Sequence, residues 1–147
     1  MDIDRELVFQ KCKYILADVQ RLRDMLQQLT HEEIVTNEMN MSLAERRLER
    51  IVNRAVDVNF HLVRAAGAPP PDDYTKSFLA LGEHHIVDSL LAINIAPAAG
   101  ARNILVHDYE DLDPEKFYSS LQDTVKYFPQ YVIAVTDYIN TRLNLIP

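Results

Sequence analysis

The chain has 147 residues, 48% of them hydrophobic, with three glycines and a formal charge of −7. That length fits one domain, residues 1–147, with a proper core, and makes a second unlikely. The acid balance argues against a broad basic surface for nucleic acid, which must neutralise many phosphates. One cysteine, Cys12, excludes an internal disulfide framework. No charged-then-apolar leader opens the chain, so a cytoplasmic location is expected, and charges interrupt each apolar run before the ~20 residues of a membrane helix, so a soluble protein is expected. Stretches rich in Leu, Ala, Glu, Arg and Gln predict an all-α fold.

From Asp4 to Leu29 the apolar residues Val8, Cys12, Ile15, Val19, Leu22, Leu26 and Leu29 alternate spacings of four and three. Such a heptad packs helices at shallow angles and predicts a long antiparallel member of a bundle. Thr30 ends it, with His31, Glu32 and Glu33 as a short capped turn. A second long helix is expected from Thr36 or Asn37 to Ala66, with Gly67 as its C-terminal cap. Leu48, Ile51, Ala55, Val58 and Leu62 form its seam. Its Glu45, Arg46, Arg47, Glu49 and Arg50 read most simply as a solvated face of mixed charge, or else as a face toward a partner. Asp57 and His61, four apart, share a face beside the seam. They are either a polar pair satisfied within the bundle or a place where Asp57 approaches substrate from a neighbouring helix.

Pro69-Pro70-Pro71 cannot continue a helix and marks a surface connection. Short helices are expected at Tyr74–Leu81, ended by Gly82, and at Ile86–Ile95, with His84 and His85 in an exposed turn between them. Pro97 suits the first turn of another helix, with Ala98, Ala101, Ile104 and Leu105 buried. The small residues from Ala98 to Ala101 would admit a close second helix, within the bundle or across a dimer axis. Asp113-Pro114 opens a final helix to about Leu143, which Pro129 should kink or split. Its aromatic residues are expected in the core.

Near the end of the Pro97 helix, Arg102, Asn103, His107 and Tyr109 lie close in sequence. Arginine holds phosphate by a forked hydrogen bond, and histidine is the side chain whose unperturbed pKa lies near neutrality, so the set suggests phosphodiester chemistry. In a regular helix residues five apart differ by about 140°, so Arg102 and His107 do not point the same way. Either the helix unwinds before His107, or the site is assembled from two copies about a two-fold axis. Such a set suffices for RNA without metal: a base takes the 2′-hydroxyl proton, the oxygen attacks the adjacent phosphate, and arginine stabilises the gathered charge. DNA lacks that nucleophile. Asn103, one turn before His107, can orient the imidazole or donate to phosphate. On chemistry alone two other readings stay open: a surface Arg102 with a helix-end histidine balanced by Asp108, and a magnesium site made by Asp108, Glu110, Asp111 and Asp113.

Arg102-Asn103-x-x-x-His107-x-Tyr109 in an acidic helical chain resembles the R-x4-H-x-Y motif of HepT-type HEPN toxins. The resemblance extends through Glu45-Arg46-Arg47, Asp57, His61 and Asp113-Pro114. It implies an antiparallel HEPN bundle with long first and second helices joined to short connecting ones. It also implies a toxin of a toxin–antitoxin system: a metal-independent endoribonuclease without cofactor, working as a homodimer, with Arg102 and His107 of both protomers lining the cleft. The implied partner is an MntA-type nucleotidyltransferase antitoxin that transfers AMP from ATP to Tyr109, blocking the substrate phosphate. The acid surface then fits a small cleft that reads a structured RNA, such as a tRNA, locally. The alternative is a non-catalytic helical subunit that binds nucleotide or substrate for a nucleotidyltransferase.

Overall fold

Asp4 starts the first helix by accepting a hydrogen bond from the Leu7 amide at 3.0 Å. In the computed structural model, which describes residues 2–144, the elements are α1 (Arg5–Gln28), α2 (His31–Val35), α3 (Glu38–Ala65), α4 (Tyr74–Glu83), α5 (Ser89–Ile95), α6 (Pro97–His107), a short 3-10 turn (Tyr109–Asp111) and α7 (Pro114–Asn144). No strand occurs among the described residues, and the fold is an all-α bundle. α1 packs along α3 and α7, and α6 closes on the other flank of α3.

The heptad of α1 buries Val8, Cys12, Ile15, Val19 and Leu22, and the expected seam of α3 is wholly buried. Thr30 and Glu33 cap α2 reciprocally, each side chain accepting from the other's amide. At the end of α3 the Gly67 amide donates to the Arg64 carbonyl and the Ala68 amide to the Val63 carbonyl. This is a Schellman closure, with Gly67 at φ +83° where a Cβ would be strained. His85, at φ +57°, closes α4 the same way, its amide donating to Gly82 and that of Ile86 to Leu81.

Two expected boundaries move as a result. Ile86 and Val87 are buried in the reversal, not helical, and α5 begins only at Ser89. Gly82 lies inside α4, where a Cβ would come within 2.9 Å of the Ala92 Cβ, so it is what lets α5 approach. Pro129 does not split α7, which is continuous from Pro114 to Asn144. Lacking an N–H, Pro129 leaves the Val125 carbonyl without its helical donor. Arg23 of α1 supplies one at 3.3 Å.

Two polar arrangements tie α3 to its neighbours. Inside the core, the single Tyr131 hydroxyl proton is shared between the Asn59 side-chain oxygen at 2.6 Å and the Ala55 carbonyl at 3.1 Å. The Asn59 amide donates to Ser77 Oγ, and Ser77 donates to the Tyr74 carbonyl. Burial pushes the Tyr131 phenol well above its ordinary range. On the α1 flank, Asp18 is fully buried and paired with Arg21, Arg47, Arg50 and Arg54. Arg47 and Arg50 therefore turn toward α1 and are not part of a merely solvated face. The reason is the carboxylate of Asp18, whose burial demands charged partners.

Candidate active site

α6 follows α5 almost without interruption, Ala96 ending one helix and preceding the other. Ala99 is its buried residue; Ile104, expected inside, is partly open to solvent. Leu90, Ile93 and Val106 are exposed as well. Together α5 and α6, Ser89–His107, are long and apolar enough to suit a membrane span, and 22% of their most apolar stretch is buried in the bundle. The expectation that charge breaks every such run fails here because Arg102 is the one Lys, Arg, Asp or Glu within it. A Cβ at Gly100 would meet nothing within 4 Å, so that side of α6 is uncovered in the single chain.

Arg102 is half-buried and held from three sides. Its Nε donates to Asn53 Oδ1 of α3 at 2.9 Å, and Nη1 donates more loosely to Asn103 Oδ1 at 3.4 Å. The guanidinium lies 4.7 Å from the centroid of the Tyr74 ring. Tyr74 is itself fixed through its carbonyl by Ser77, so the buried chain from Tyr131 ends beneath Arg102. Such stacking and a directed Nε leave the remaining guanidinium donors for an outside anion.

His107 is the last residue of α6 and is exposed. The helix does not unwind before it. Arg102 and His107 of one chain therefore remain about 140° apart around the axis, with a rise of about 7.5 Å between them. After Asp108 the chain makes its 3-10 turn, and the Tyr109 hydroxyl donates to the Glu45 carboxylate of α3, at 2.8 Å to Oε2 and 3.0 Å to Oε1. Tyr109 remains 51% exposed. The hydrogen bond to Glu45, then burial and the negative charges of Glu45 and Glu38, push its phenol above the ordinary value. Burial raises the Glu45 carboxyl, an effect opposed by the same hydrogen bond.

Asp57 is not among the groups brought to Arg102. Its carboxylate pairs with Lys11 Nζ at 2.9 Å, and His61 Nε2 accepts from the Asp4 amide at 2.8 Å, so both secure the start of α1 to α3. The α3 residue at Arg102 is Asn53, one turn earlier. Asp113, one of the acids after the motif, caps α7 by accepting from the Glu115 and Lys116 amides. Sequence reasoning missed Asn53, Glu45 and Tyr74 as site residues. Glu45 lay within a recognised stretch, but no local pattern marked the other two.

The all-α bundle, with Arg102 and His107 on one helix and Tyr109 just beyond its end, is of the HEPN type. The profile of the family described as "Ribonuclease HepT-like" matches residues 15–135, and the chain belongs to that family. It is 32% identical over 99 residues to a protein of Aphanizomenon flos-aquae named tRNA nuclease HepT, a stretch covering 67% of each chain. Over 85 residues it is 27% identical to the mRNA nuclease HepT of Shewanella oneidensis, covering 58% of this chain and 64% of that one. In fold it is similar to a tri-AMPylated Shewanella oneidensis HEPN toxin solved in complex with an MNT antitoxin. That likeness has a TM-score of 0.81 at 20% identity, over 90% of this chain and 98% of the other.

Proposed function

We propose that the protein is the toxin of a toxin–antitoxin pair and a metal-independent endoribonuclease, acting on RNA, tRNA included, as a homodimer. The observation that carries this is Arg102, aimed by Asn53 and Tyr74 yet still half open, on the same helix as an exposed His107. The two side chains diverge within one chain. Pairing two copies across the uncovered side of α6, with its exposed Ile104 and Val106, brings both sets into one cleft. One His107 then takes the 2′-hydroxyl proton, and the 2′-oxygen bonds to the adjacent phosphorus. The 5′-oxygen leaves with a proton from the other His107, giving a cyclic phosphate and a free 5′-hydroxyl. Arg102 stabilises the charge on the non-bridging oxygens, and Asn103 contacts the phosphate or orients the imidazole.

The control point is Tyr109, modified by an MntA-type nucleotidyltransferase. Its hydroxyl oxygen attacks the α-phosphorus of ATP, pyrophosphate leaves, and the phenol proton departs on the side where Glu45 already accepts it. Two relatives named as HepT nucleases and the solved AMPylated toxin complex support this reading. The adduct adds negative charge two residues from His107 and repels substrate phosphate.

Purified protein should cleave cellular RNA in EDTA, and His107→Ala and Arg102→Ala should each abolish cleavage. Activity that requires added metal, or that ignores His107, overturns the proposal. Co-expression with the partner should add mass in multiples of AMP, and none in Tyr109→Phe. If dimer and partner complex form but RNA stays intact, the chain is instead the non-catalytic subunit of a nucleotidyltransferase.

A further inference from the structure

The basic surface that composition seemed to deny is assembled by folding. Arg21 from α1 and Arg47, Arg50 and Arg54 from α3 converge on the single carboxylate of Asp18, at 3.2, 3.3, 3.5 and 2.8 Å respectively. Asp18 has no exposed side-chain surface, whereas the four arginines keep between 22% and 54% of theirs. One carboxylate cannot neutralise four guanidinium groups, and each guanidinium has five N–H donors but meets Asp18 through a single nitrogen. What remains is a fixed set of outward donors with an excess of positive charge, on a chain whose formal charge is −7. Asp18 relieves the mutual repulsion of the arginines and holds their forks in place.

An aromatic surface adjoins this cluster. The Arg54 guanidinium lies 4.8 Å from the Tyr14 ring centroid, and Tyr14 is 45% exposed. Beside it runs a groove of about 460 Å³ lined by Leu7, Gln10, Lys11, Tyr14 and Arg54. Cations along a groove with an exposed ring are the chemistry that holds single-stranded nucleic acid, phosphates on the cations and a base on the ring. The position is suited to that task. Arg54 directly follows Asn53, the residue that aims Arg102, and α3 separates the arginine cluster on its α1 flank from the Arg102 site on its α6 flank.

We infer that the arginine cluster on Asp18 and the adjoining Tyr14 groove, joined through Arg54, form a second RNA-binding site, taking the phosphodiester backbone and one base of the single strand that continues from the cleaved bond. This rests on the ribonuclease reading above. It explains how an acidic protein grips RNA: the contacts are few, concentrated and preset by a buried carboxylate.

Two measurements test it on the full-length protein. The first is affinity for a long RNA as a function of salt, in the wild type and in the Arg21→Gln/Arg50→Gln double variant. These are the two most exposed arginines, and Arg47 and Arg54 still satisfy Asp18. For a single strand each lost phosphate contact lowers the salt slope by about 0.7, so a fall of about 1.4 is expected. The second is Tyr14→Ala, expected to weaken binding by at least about 5-fold while Tyr14→Phe binds normally. A short RNA spanning only the scissile bond should be cut normally by all three variants. If it is, and the salt slope and Tyr14→Ala affinity match the wild type, the groove is not an RNA site although the nuclease reading stands. Failure of the wild type to cut any RNA removes the nuclease reading and leaves the binding slopes to judge the groove. Variants that bind RNA normally but lose the nucleotidyltransferase partner assign the cluster to that protein and overturn the inference.

Discussion

Asn53→Ala removes the only α3 group that hydrogen-bonds Arg102 and leaves the Tyr74 stack untouched. A hydrogen bond from a charged donor contributes about 1.5–3 kcal/mol when well shielded. Arg102 is half-buried, so solvent screening reduces this to about 1–2 kcal/mol. If that energy aims the guanidinium at charge that develops on the phosphate, RNA cleavage should fall by about 5- to 30-fold. The loss should fall mainly on kcat, because an arginine already present in the ground state is needed most in the transition state. Asn53 does not titrate, so the shape of the pH–rate profile should be unchanged. The assay is steady-state cleavage of a short labelled RNA in EDTA, with thermal melting alongside. The same loss of about 1–2 kcal/mol should lower Tm by roughly 3–8 °C, leaving the protein folded at the assay temperature. Wild-type kinetics in Asn53→Ala, with Arg102→Ala inactive, would refute the claim that Asn53 orients the arginine. So would a loss of activity fully accounted for by a lowered melting temperature.

Two further outcomes concern other parts of the bundle. With carbon-labelled tyrosine, the NMR signal lost in Tyr109→Phe should titrate above the ordinary phenol value of 10.0 and move back toward it in Glu45→Gln. A raised phenol pKa favours the protonated, folded form: its contribution to stability is complete below about pH 10 and is lost as pH rises through the folded value. An unmoved midpoint in Glu45→Gln would mean that the hydrogen bond is not the main cause. For Gly82→Ala, crowding against Ala92 and Ser89 should outweigh the roughly 1 kcal/mol that alanine gains in a helix, for a net loss of up to about 2 kcal/mol in denaturant unfolding. A more stable variant would show that α5 is free to move away.

The sequence made the long helices legible because their signals are local: a heptad in α1, a seam and a glycine cap in α3, and Asp113-Pro114 at the head of α7. It was misleading where a local rule has a tertiary answer. Pro129 breaks one backbone hydrogen bond, but Arg23, 106 positions earlier, occupies the freed carbonyl and the helix continues. The Gly82 stop signal is a packing requirement set by α5. Within the site, Arg102, Asn103, His107 and Tyr109 stood out because they are neighbours in the chain. Asn53 and Glu45 did not, since each acts across a helix–helix contact on a residue 49 or 64 positions away. The charges on α3 looked like a solvated surface because the carboxylate that gathers them, Asp18, lies on another helix and resembles any heptad-flanking acid.

Between Glu45 and Asn59, α3 supplies the acceptor for Tyr109, three of the guanidinium groups on Asp18, the acceptor for Arg102, the partner of Lys11 and the junction of the buried polar chain. Inserting one residue anywhere in that span would turn everything beyond it by about 100° and advance it by about 1.5 Å. The links on the far side would lose register together, on both flanks and in the core. Changes in chain length can therefore accumulate in the proline-rich connection after Gly67, but the central span of α3 must keep its residue count even where individual side chains vary.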